Sequence, residues 1–278
     1  MRKLNADCLR PLLLPRSNDS HKGNYGHLLL VCGSNAYSGA AVLATGAALK
    51  SGCGLVTLHS CARALQATVN KYPSAMLSED PAGHFSVVPE RLERFSAIAV
   101  GPGLGQDPET LEALKELMGA AKSAGIPMVL DADALNLIAA NFRLSRLIPD
   151  GSVLTPHPGE LKRLEESGAF ADDGPCLEDI GWVLVKKGWH TRITTASGEA
   201  YVNTTGNAGM AKGGSGDVLT GLIGGLLARG YRALDAALLG VWIHGFAGDR
   251  LSEECTPEAY SSLDLIEALY KGFKVLLG

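Results

Sequence analysis

Apolar runs alternate with segments of helical spacing along most of this chain, and this alternation restricts its fold more than any other feature. The runs are HLLLVCG (27–33), LVTLHS (55–60), FSAIAV (95–100), IPMVLDADALN (126–136), GSVLTPHPGE (151–160) and WVLVKKG (182–188). Continuous apolar runs of this kind are typical of parallel strands covered on both faces. The alternation therefore predicts βαβ units in an α/β fold, with a mostly parallel sheet and helices on both faces.

The helical segments carry recognisable start and stop signals. Ser38 and Gly52 bound the first of them as predicted N-cap and C′ residues, and Arg229-Gly230 ends a later one. A hairpin-like stretch is expected around Pro81 to Pro89. The predicted helices span residues 38–52, 62–72, 108–125, 233–254 and 261–277, and RITTASGEAYVN (192–203) is predicted to be an antiparallel hairpin closed by Ser197-Gly198.

Length and charge narrow the class of protein. The 278 residues are long enough for one large α/β domain, and we assign residues 1–278 to a single domain because no linker or repeat divides them. A net charge of −4 leaves no basic surface for nucleic acid or for an anionic membrane. Neither partner is expected.

The cysteines indicate the compartment. All six are free of Cys-x-x-Cys spacing and lie mostly in apolar runs, which predicts buried, reduced thiols and a cytoplasmic location. The N-terminal stretch MRKLNADCLRPLLLPR contains only a short leucine patch interrupted by prolines. We expect neither a signal peptide nor a spanning helix there.

The most informative loop is Ala211-Lys212-Gly213-Gly214-Ser215-Gly216-Asp217, which runs into VLTGLIGGLLARG. A helix is predicted to begin at about Gly216, so that its unpaired N–H groups and the bare glycine backbone can bind an anion. Asp217 would suit the role of a base that takes a proton from a hydroxyl attacking phosphorus. Alternatively, the glycines are a packing device.

Other polar residues follow the predicted strands. Gly101–Gly105 ends one strand, where it could receive a ligand or form a turn with positive φ. Asp131 and Asp133 end the next strand, and they could bind a cation, although capping of the following helix is favoured. His157 is held between two prolines, and Glu160 lies in the first turn of a helix, where either the helix dipole or a metal explains it.

These features converge on one edge of the predicted sheet, because right-handed crossovers bring the loops after parallel strands to the same side. Lys187–Thr191 and Gly213–Asp217 fall on that edge too. His244 is interpreted as a core histidine. The sequence lacks the pattern G-x-S-x-G, which argues against the nucleophile elbow of an α/β-hydrolase. It also lacks G-x-x-x-x-G-K-[ST] and zinc-ligand spacing, which argues against a P-loop and a zinc site.

The chain also resembles a known family, the ADP/ATP-dependent NAD(P)H-hydrate dehydratases of the ribokinase-like superfamily. The resemblance is collinear from about residue 20 onward. It is carried by KGNYGHLLLVCGS, SGAAVLATGAALKSGCGLVTL, VGPGLG, VLDADALN, LTPHPGE, KKGWHT, NTTGNAGMAKGGSGDVLTG and GVWIHGFAGD. It implies a ribokinase-like three-layer sandwich.

The resemblance further implies a reaction. Members of this family restore (S)-NAD(P)H hydrate, a nicotinamide cofactor hydrated at C6, to NAD(P)H while ADP or ATP is cleaved with Mg²⁺. The expected ligands are therefore NAD(P)H hydrate and an adenine nucleotide, and a homo-oligomer, commonly a tetramer, is expected. A small-molecule kinase of the same superfamily is the competing enzyme, since the anion-binding glycine loop and Asp217 would serve both reactions. A catalytically silent nucleotide-binding protein is the third interpretation, against which the intact Asp217 argues.

Residue roles carry over only through the resemblance. Asp217 would be the base, with the backbone of Gly214, Ser215 and Gly216 as the anion hole. Glu160 would organise Mg²⁺. The residues expected to hold the hydrated dinucleotide are Ala40 or Ala41, Gly103, Gly105, His157 and Asp217, and those expected at the nucleotide are Lys187, Gly188, Trp189, His190, Thr191 and Gly216.

This chain departs from the family pattern in two places. Ser215 stands where the family usually has Thr, a change that keeps the hydroxyl group. GAFADDGPCLEDIG, between Glu160 and Lys187, is shorter than the helix-bearing stretch we expect, which would alter an oligomer interface or the cover over the nucleotide.

Overall fold

One ten-stranded sheet runs through the protein, whose computed structural model describes residues 1–169 and 181–278. The shortened segment noted above lies almost entirely outside these described residues. The strands are β1 (Arg2–Lys3), β2 (His27–Val31), β3 (Leu55–Cys61), β4 (Met76–Asp80), β5 (Ala97–Val100), β6 (Met128–Leu130), β7 (Val153–Leu154), β8 (Val183–Lys186), β9 (Arg192–Thr195) and β10 (Ala200–Val202).

The strand order across the sheet is β1-β10-β9-β8-β7-β6-β5-β2-β3-β4. The seven strands from β8 to β4 in this order are mutually parallel. Of the strands that the structure describes, only β9 is antiparallel to its neighbours, as expected for the hairpin at Ser197-Gly198. The mostly parallel sheet predicted from the sequence is confirmed.

Helices cover both faces of the sheet, as predicted. They are α1 (Ala6–Leu9), α2 (Ser38–Lys50), α3 (Ala62–Lys71), α4 (Pro108–Ala124), α5 (Ala132–Ala140), α6 (Pro158–Glu166), α7 (Ser215–Ala228), α8 (Ala233–Glu254) and α9 (Ser262–Leu277). The helix α8 has the predicted bounds, and Gly52 and Gly230 follow their helices with φ of +86° and +98°.

Successive strand residues supply two separate cores. In β2, Leu28 and Leu30 face a core built with α2, α7, α8 and α9, whereas Leu29 and Val31 face a core built with α4, α5 and α6. This alternation follows from the two-residue repeat of a strand. Because both faces are buried, the strand reads as one continuous apolar run.

Several local expectations were wrong. The stretch from Pro81 to Pro89, expected to be hairpin-like, contains no strand. The nearby strand is β4, which ends at Asp80 and pairs parallel with β3; its polar sequence MLSED is mostly exposed at the sheet edge and carries little apolar signal. Tyr37, not Ser38, occupies the N-cap position of α2. Among the cysteines that the structure describes, all are free, but Cys8 and Cys255 are exposed. Within residues 1–169 and 181–278, the helices are too short or too polar to cross a membrane.

Candidate active site

The start of α7 exposes main-chain N–H groups beside glycines. In the described part of the chain, no carbonyl accepts from the amides of Gly216 or Asp217, as expected for the first turn of a helix. Gly214 has φ +90°, and a Cβ at this position would lie 2.3 Å from a methyl group of Leu43. The positive φ therefore favours glycine at this position, while the free amides form a surface suited to an anion.

Asp217 lies half-buried in this first turn. Burial raises the pKa of its carboxyl group to about 6; the negative charge of Asp131 acts in the same direction, and the ammonium of Lys187 opposes both. A carboxylate with a pKa near neutrality accepts a proton efficiently when a hydroxyl reacts. Asp217 thus has the ionisation behaviour expected of a general base.

A buried triad stands next to the start of α7. The carboxylate of Asp131, which is 1% exposed, accepts hydrogen bonds from the ammonium of Lys187 and the hydroxyl of Thr220, each at 2.6 Å. The ammonium also lies 3.9 Å from Glu160 and 3.5 Å from where a Cβ on Gly216 would lie. One cation thus faces two buried carboxylates, with Asp217 close enough to feel its charge.

The favoured interpretation of Asp131 and Asp133 as helix caps is wrong. Asp131 occupies the N-cap position of α5, but its side chain makes no capping bond. Its carboxylate is engaged by Lys187, because a charge-assisted hydrogen bond is stronger than one from a neutral amide. Asp133 instead accepts from the amide of Gly105 at 2.9 Å.

His157 and Glu160 cap each other at the start of α6. The Nδ1 atom of His157 accepts from the amides of Gly159 and Glu160 at 3.0 and 3.3 Å, and the carboxylate of Glu160 accepts from the amide of His157 at 2.8 Å. Such reciprocal bonds fix the first turn of a helix. Burial raises the pKa of Glu160, with Lys187 and the amide of His157 opposing that shift.

A cavity of about 710 Å³ opens beside the start of α7, within the size range of small-molecule sites. Much of the rest of its wall comes from residues 203–213 and α8. The predicted site residues on its wall are His157, Lys187, Gly188, Trp189, His190, Thr191, Ser215 and Gly216.

A second group of predicted residues lies outside this wall. A Cβ on Gly103, whose φ is +62°, would lie 2.9 Å from the Cβ of Ala40, so the loop after β5 packs directly on the start of α2. Ala40 is half-buried, whereas Ala41 is fully buried, which leaves Ala40 as the accessible residue of the pair. The positive φ of Gly101, Gly103 and Gly105 confirms that this loop needs glycine for its turn.

Sequence reasoning missed several site residues. His244 is buried, as predicted for a core residue, yet it lines the cavity and its ring contacts the carbonyl of Ser215 at 3.0 Å. Burial lowers its pKa to about 4, so the ring is neutral at neutral pH. Thr220 follows Asp217 by one helical turn, a spacing that could have indicated a shared face. No comparable signal marks Asn203 or Thr205.

Fold and site together define a ribokinase-like α/β protein with a nucleotide-sized cavity. A ribokinase-like superfamily protein from Enterococcus faecalis superposes with a TM-score of 0.83 at 29% identity and covers 99% of this chain and 96% of its own. A hydroxyethylthiazole kinase from Pyrococcus horikoshii shares the fold with a TM-score of 0.62 at 15% identity, covering 96% and 92%.

More narrowly, the chain belongs to the NAD(P)H-hydrate dehydratase family, whose model matches residues 28–271. The ADP-dependent (S)-NAD(P)H-hydrate dehydratase of Neisseria meningitidis is 38% identical over 86% of this chain and 81% of its own length. The bifunctional NAD(P)H-hydrate repair enzyme Nnr of Moorella thermoacetica is 40% identical over 96% of this chain but 53% of its own length. The chain thus spans about half the length of the bifunctional relatives it matches.

A solved structure of this family has the same fold. The ADP/ATP-dependent NAD(P)H-hydrate dehydratase of Bacillus subtilis, co-crystallised with ATP and Mg²⁺, superposes with a TM-score of 0.82 at 29% identity. The match covers 99% of this chain and 98% of that protein. The resemblance stated from the sequence is confirmed.

Proposed function

We propose that this protein catalyses the ADP- or ATP-dependent dehydration of (S)-NAD(P)H hydrate to NAD(P)H, with release of AMP or ADP and phosphate. The family match over residues 28–271 carries the proposal. It is supported by the placement of Asp217 at an open helix terminus beside a cavity of about 710 Å³. That combination of base, anion site and nucleotide-sized space suits phosphoryl transfer.

Each part of the site would have a separate task. The backbone of Gly214, Ser215 and Gly216, together with the free amide of Asp217, binds the migrating phosphoryl group. The carboxylate of Asp217 takes the proton of the C6 hydroxyl as its oxygen attacks phosphorus. The P–O bond to the departing AMP or ADP breaks as the bond to the C6 oxygen forms. The C6–O bond then breaks, the oxygen leaves within phosphate, and loss of a proton from C5 completes the double bond between C5 and C6. Lys187 to Thr191, together with Gly216, bind the adenine nucleotide along the cavity wall.

The hydrated dinucleotide would lie against the other group of residues. Ala40, Gly103 and Gly105 form a small-residue surface at the carboxyl end of the sheet, where α/β proteins bind ligands. His157, whose ring is half-exposed and lines the cavity, is the other residue that would contact the dinucleotide. Ala41 is fully buried, so we expect Ala40 instead of Ala41 to contact the dinucleotide.

Mg²⁺ fits this site as an ion that binds together with the nucleotide phosphates. In the described residues there is no group of three or more His, Cys, Asp or Glu that could cage a metal, and Mg²⁺ usually binds through one or two carboxylates plus substrate phosphates. Glu160, whose carboxylate is buried near Lys187, is the candidate ligand. When bound, the ion would neutralise phosphate charge.

Recovery of NADH absorbance tests the proposal. The protein is incubated with NADH hydrate and Mg²⁺ in the presence of ADP or of ATP, and we expect absorbance to rise with one or both nucleotides and not without them. No recovery with either nucleotide would refute the dehydratase assignment.

The competing functions predict different products. A vitamin or heterocycle kinase would yield a stable phosphorylated product without cofactor repair, but its structural support is a 15% identical neighbour that shares only the fold. A silent binding protein would bind ADP without turnover.

A homotetramer, a cytoplasmic location and a single domain of residues 1–278 stay predictions, to be checked by light scattering, fractionation and limited proteolysis.

A further inference from the structure

The segment 206–214, which leads from the hairpin into α7, forms one wall of the cavity and ends at the predicted anion hole. Its outer side lies against α8, α9 and the connector between them, residues 255–261. The contacts on this outer side involve residues that lie outside the predicted site.

Lys212 makes the most unusual of these contacts. Its ammonium group donates to three main-chain carbonyls of the connector, those of Pro257, Glu258 and Tyr260, at 2.8, 3.1 and 2.5 Å. It also lies 4.4 Å from the centre of the Tyr260 ring. All three of its protons are used, and the acceptors are carbonyls instead of a carboxylate, so its positive charge is not cancelled by a counter-ion there.

Further bonds hold the same wall. The hydroxyl of Ser262 donates to the carbonyl of Gly213 at 2.8 Å. At the other end of the segment, the amide oxygen of Asn207 accepts from the hydroxyl of Tyr260 at 2.9 Å, and its amide nitrogen donates to Asp249 at 3.1 Å. The connector therefore contacts the segment at both ends, through Tyr260 at Asn207 and through its carbonyls at Lys212, which immediately precedes the glycines.

We propose that Lys212 is a positioning residue for the phosphate-binding backbone: its ammonium, clamped by the connector carbonyls, holds Gly213 and Gly214 in the arrangement that an anion meets at the start of α7. This inference rests on the proposed nucleotide site. A loop held in its binding geometry in advance loses less conformational freedom when the ligand arrives. The fixed positive charge beside this glycine backbone further favours binding of the phosphates over binding of the nucleoside.

The variant Lys212→Met tests the inference, because methionine keeps an unbranched apolar chain and removes the ammonium. Binding of ADP and of adenosine is measured by calorimetry on the full chain. We expect the dissociation constant of ADP to rise about tenfold and that of adenosine to change by less than about twofold, since the held backbone leads into the main-chain groups proposed to bind the phosphates. Hydrogen exchange at the amides 213–217 should be faster in the ligand-free variant.

The matched control is Lys122→Met. Lys122 also donates its ammonium to a main-chain carbonyl, that of Arg146, but at the end of α4 and away from the cavity wall; we expect no change in either affinity. Lys212→Gln, which keeps a neutral donor, should fall between the wild type and Lys212→Met, and it serves if the methionine variant does not fold.

Unchanged ADP affinity, or equal weakening of ADP and adenosine, would overturn the role of Lys212 while leaving the proposed function in place. A wild-type protein that binds adenosine but neither ADP nor ATP would contradict the proposed function itself, and the inference with it.

Discussion

Replacing Lys187 with methionine should destabilise the protein strongly. Its ammonium is 2.6 Å from the carboxylate of Asp131 and 3.9 Å from that of Glu160. The side chains of the closer pair are 19% and 1% exposed, so water cannot solvate Asp131 once its partner is lost. The variant leaves both buried carboxylates without the Lys187 cation, and among residues 1–169 and 181–278 only the hydroxyl of Thr220 still donates to Asp131.

The magnitude follows from burial. Removing one partner of a buried ion pair typically costs about 3–5 kcal/mol, and the partial exposure of Lys187 favours the lower end, about 3 kcal/mol. An exposed pair gives the comparison: Lys50 lies 2.8 Å from Glu267, with side chains 40% and 60% exposed. Loss of that pair should cost at most about 1 kcal/mol, although the two distances are similar.

The free energy of unfolding of both variants is measured by urea denaturation at neutral pH. Nucleotide is left out, so that ligand binding does not contribute to the measured stability. We expect Lys187→Met to lose about 3 kcal/mol and Lys50→Met to lose at most about 1 kcal/mol. Equal losses would refute the argument that burial of Asp131 controls the energy. In the same variant, the pKa of Asp217 should rise above its wild-type value of about 6, because Lys187 lowers it.

Four further predictions concern the start of α7 and its neighbours. Turnover should fall as the pH drops through about 6, where Asp217 becomes protonated, and Asp217→Asn should lower it about 10²–10⁴-fold, measured by steady-state rates. Gly214→Ala should cost about 1–2 kcal/mol in thermal unfolding, since alanine at φ +90° is strained and meets Leu43. The wild type should have a higher free energy of unfolding than His244→Asn at pH 6.5, and this difference should be about 3 kcal/mol smaller at pH 4. The reason is that the folded state keeps His244 neutral, whereas unfolding lets it protonate.

The fold could be predicted well because its signals are local. Continuous apolar runs marked β2 and β5, and helical spacing placed α8 at Ala233–Glu254. The edge strand β4 was missed because most of its residues are exposed. Its Asp80 accepts from His59 of β3 across 3.3 Å, a contact between residues that no short pattern links.

The candidate site divides in the same way. The sequence indicated which loops meet at the sheet edge, since parallel strands with right-handed crossovers leave few alternatives. It did not indicate what each side chain does there: the pattern favours Asp131 as a cap of α5, and it assigns no role to Lys212 within the glycine loop. Their partners, Lys187 and the connector carbonyls, lie far away in the sequence.

By itself, the sequence determined the α/β class, the glycine loop before α7, and the family, because hydrophobic period, turn chemistry and motif spacing are properties of short segments. Only the tertiary structure decided that Asp131 binds Lys187 and Thr220, that His244 reaches Ser215, and that the connector holds Lys212. Hydrogen-bond partners are selected by distance and burial in three dimensions, and both depend on how distant segments pack.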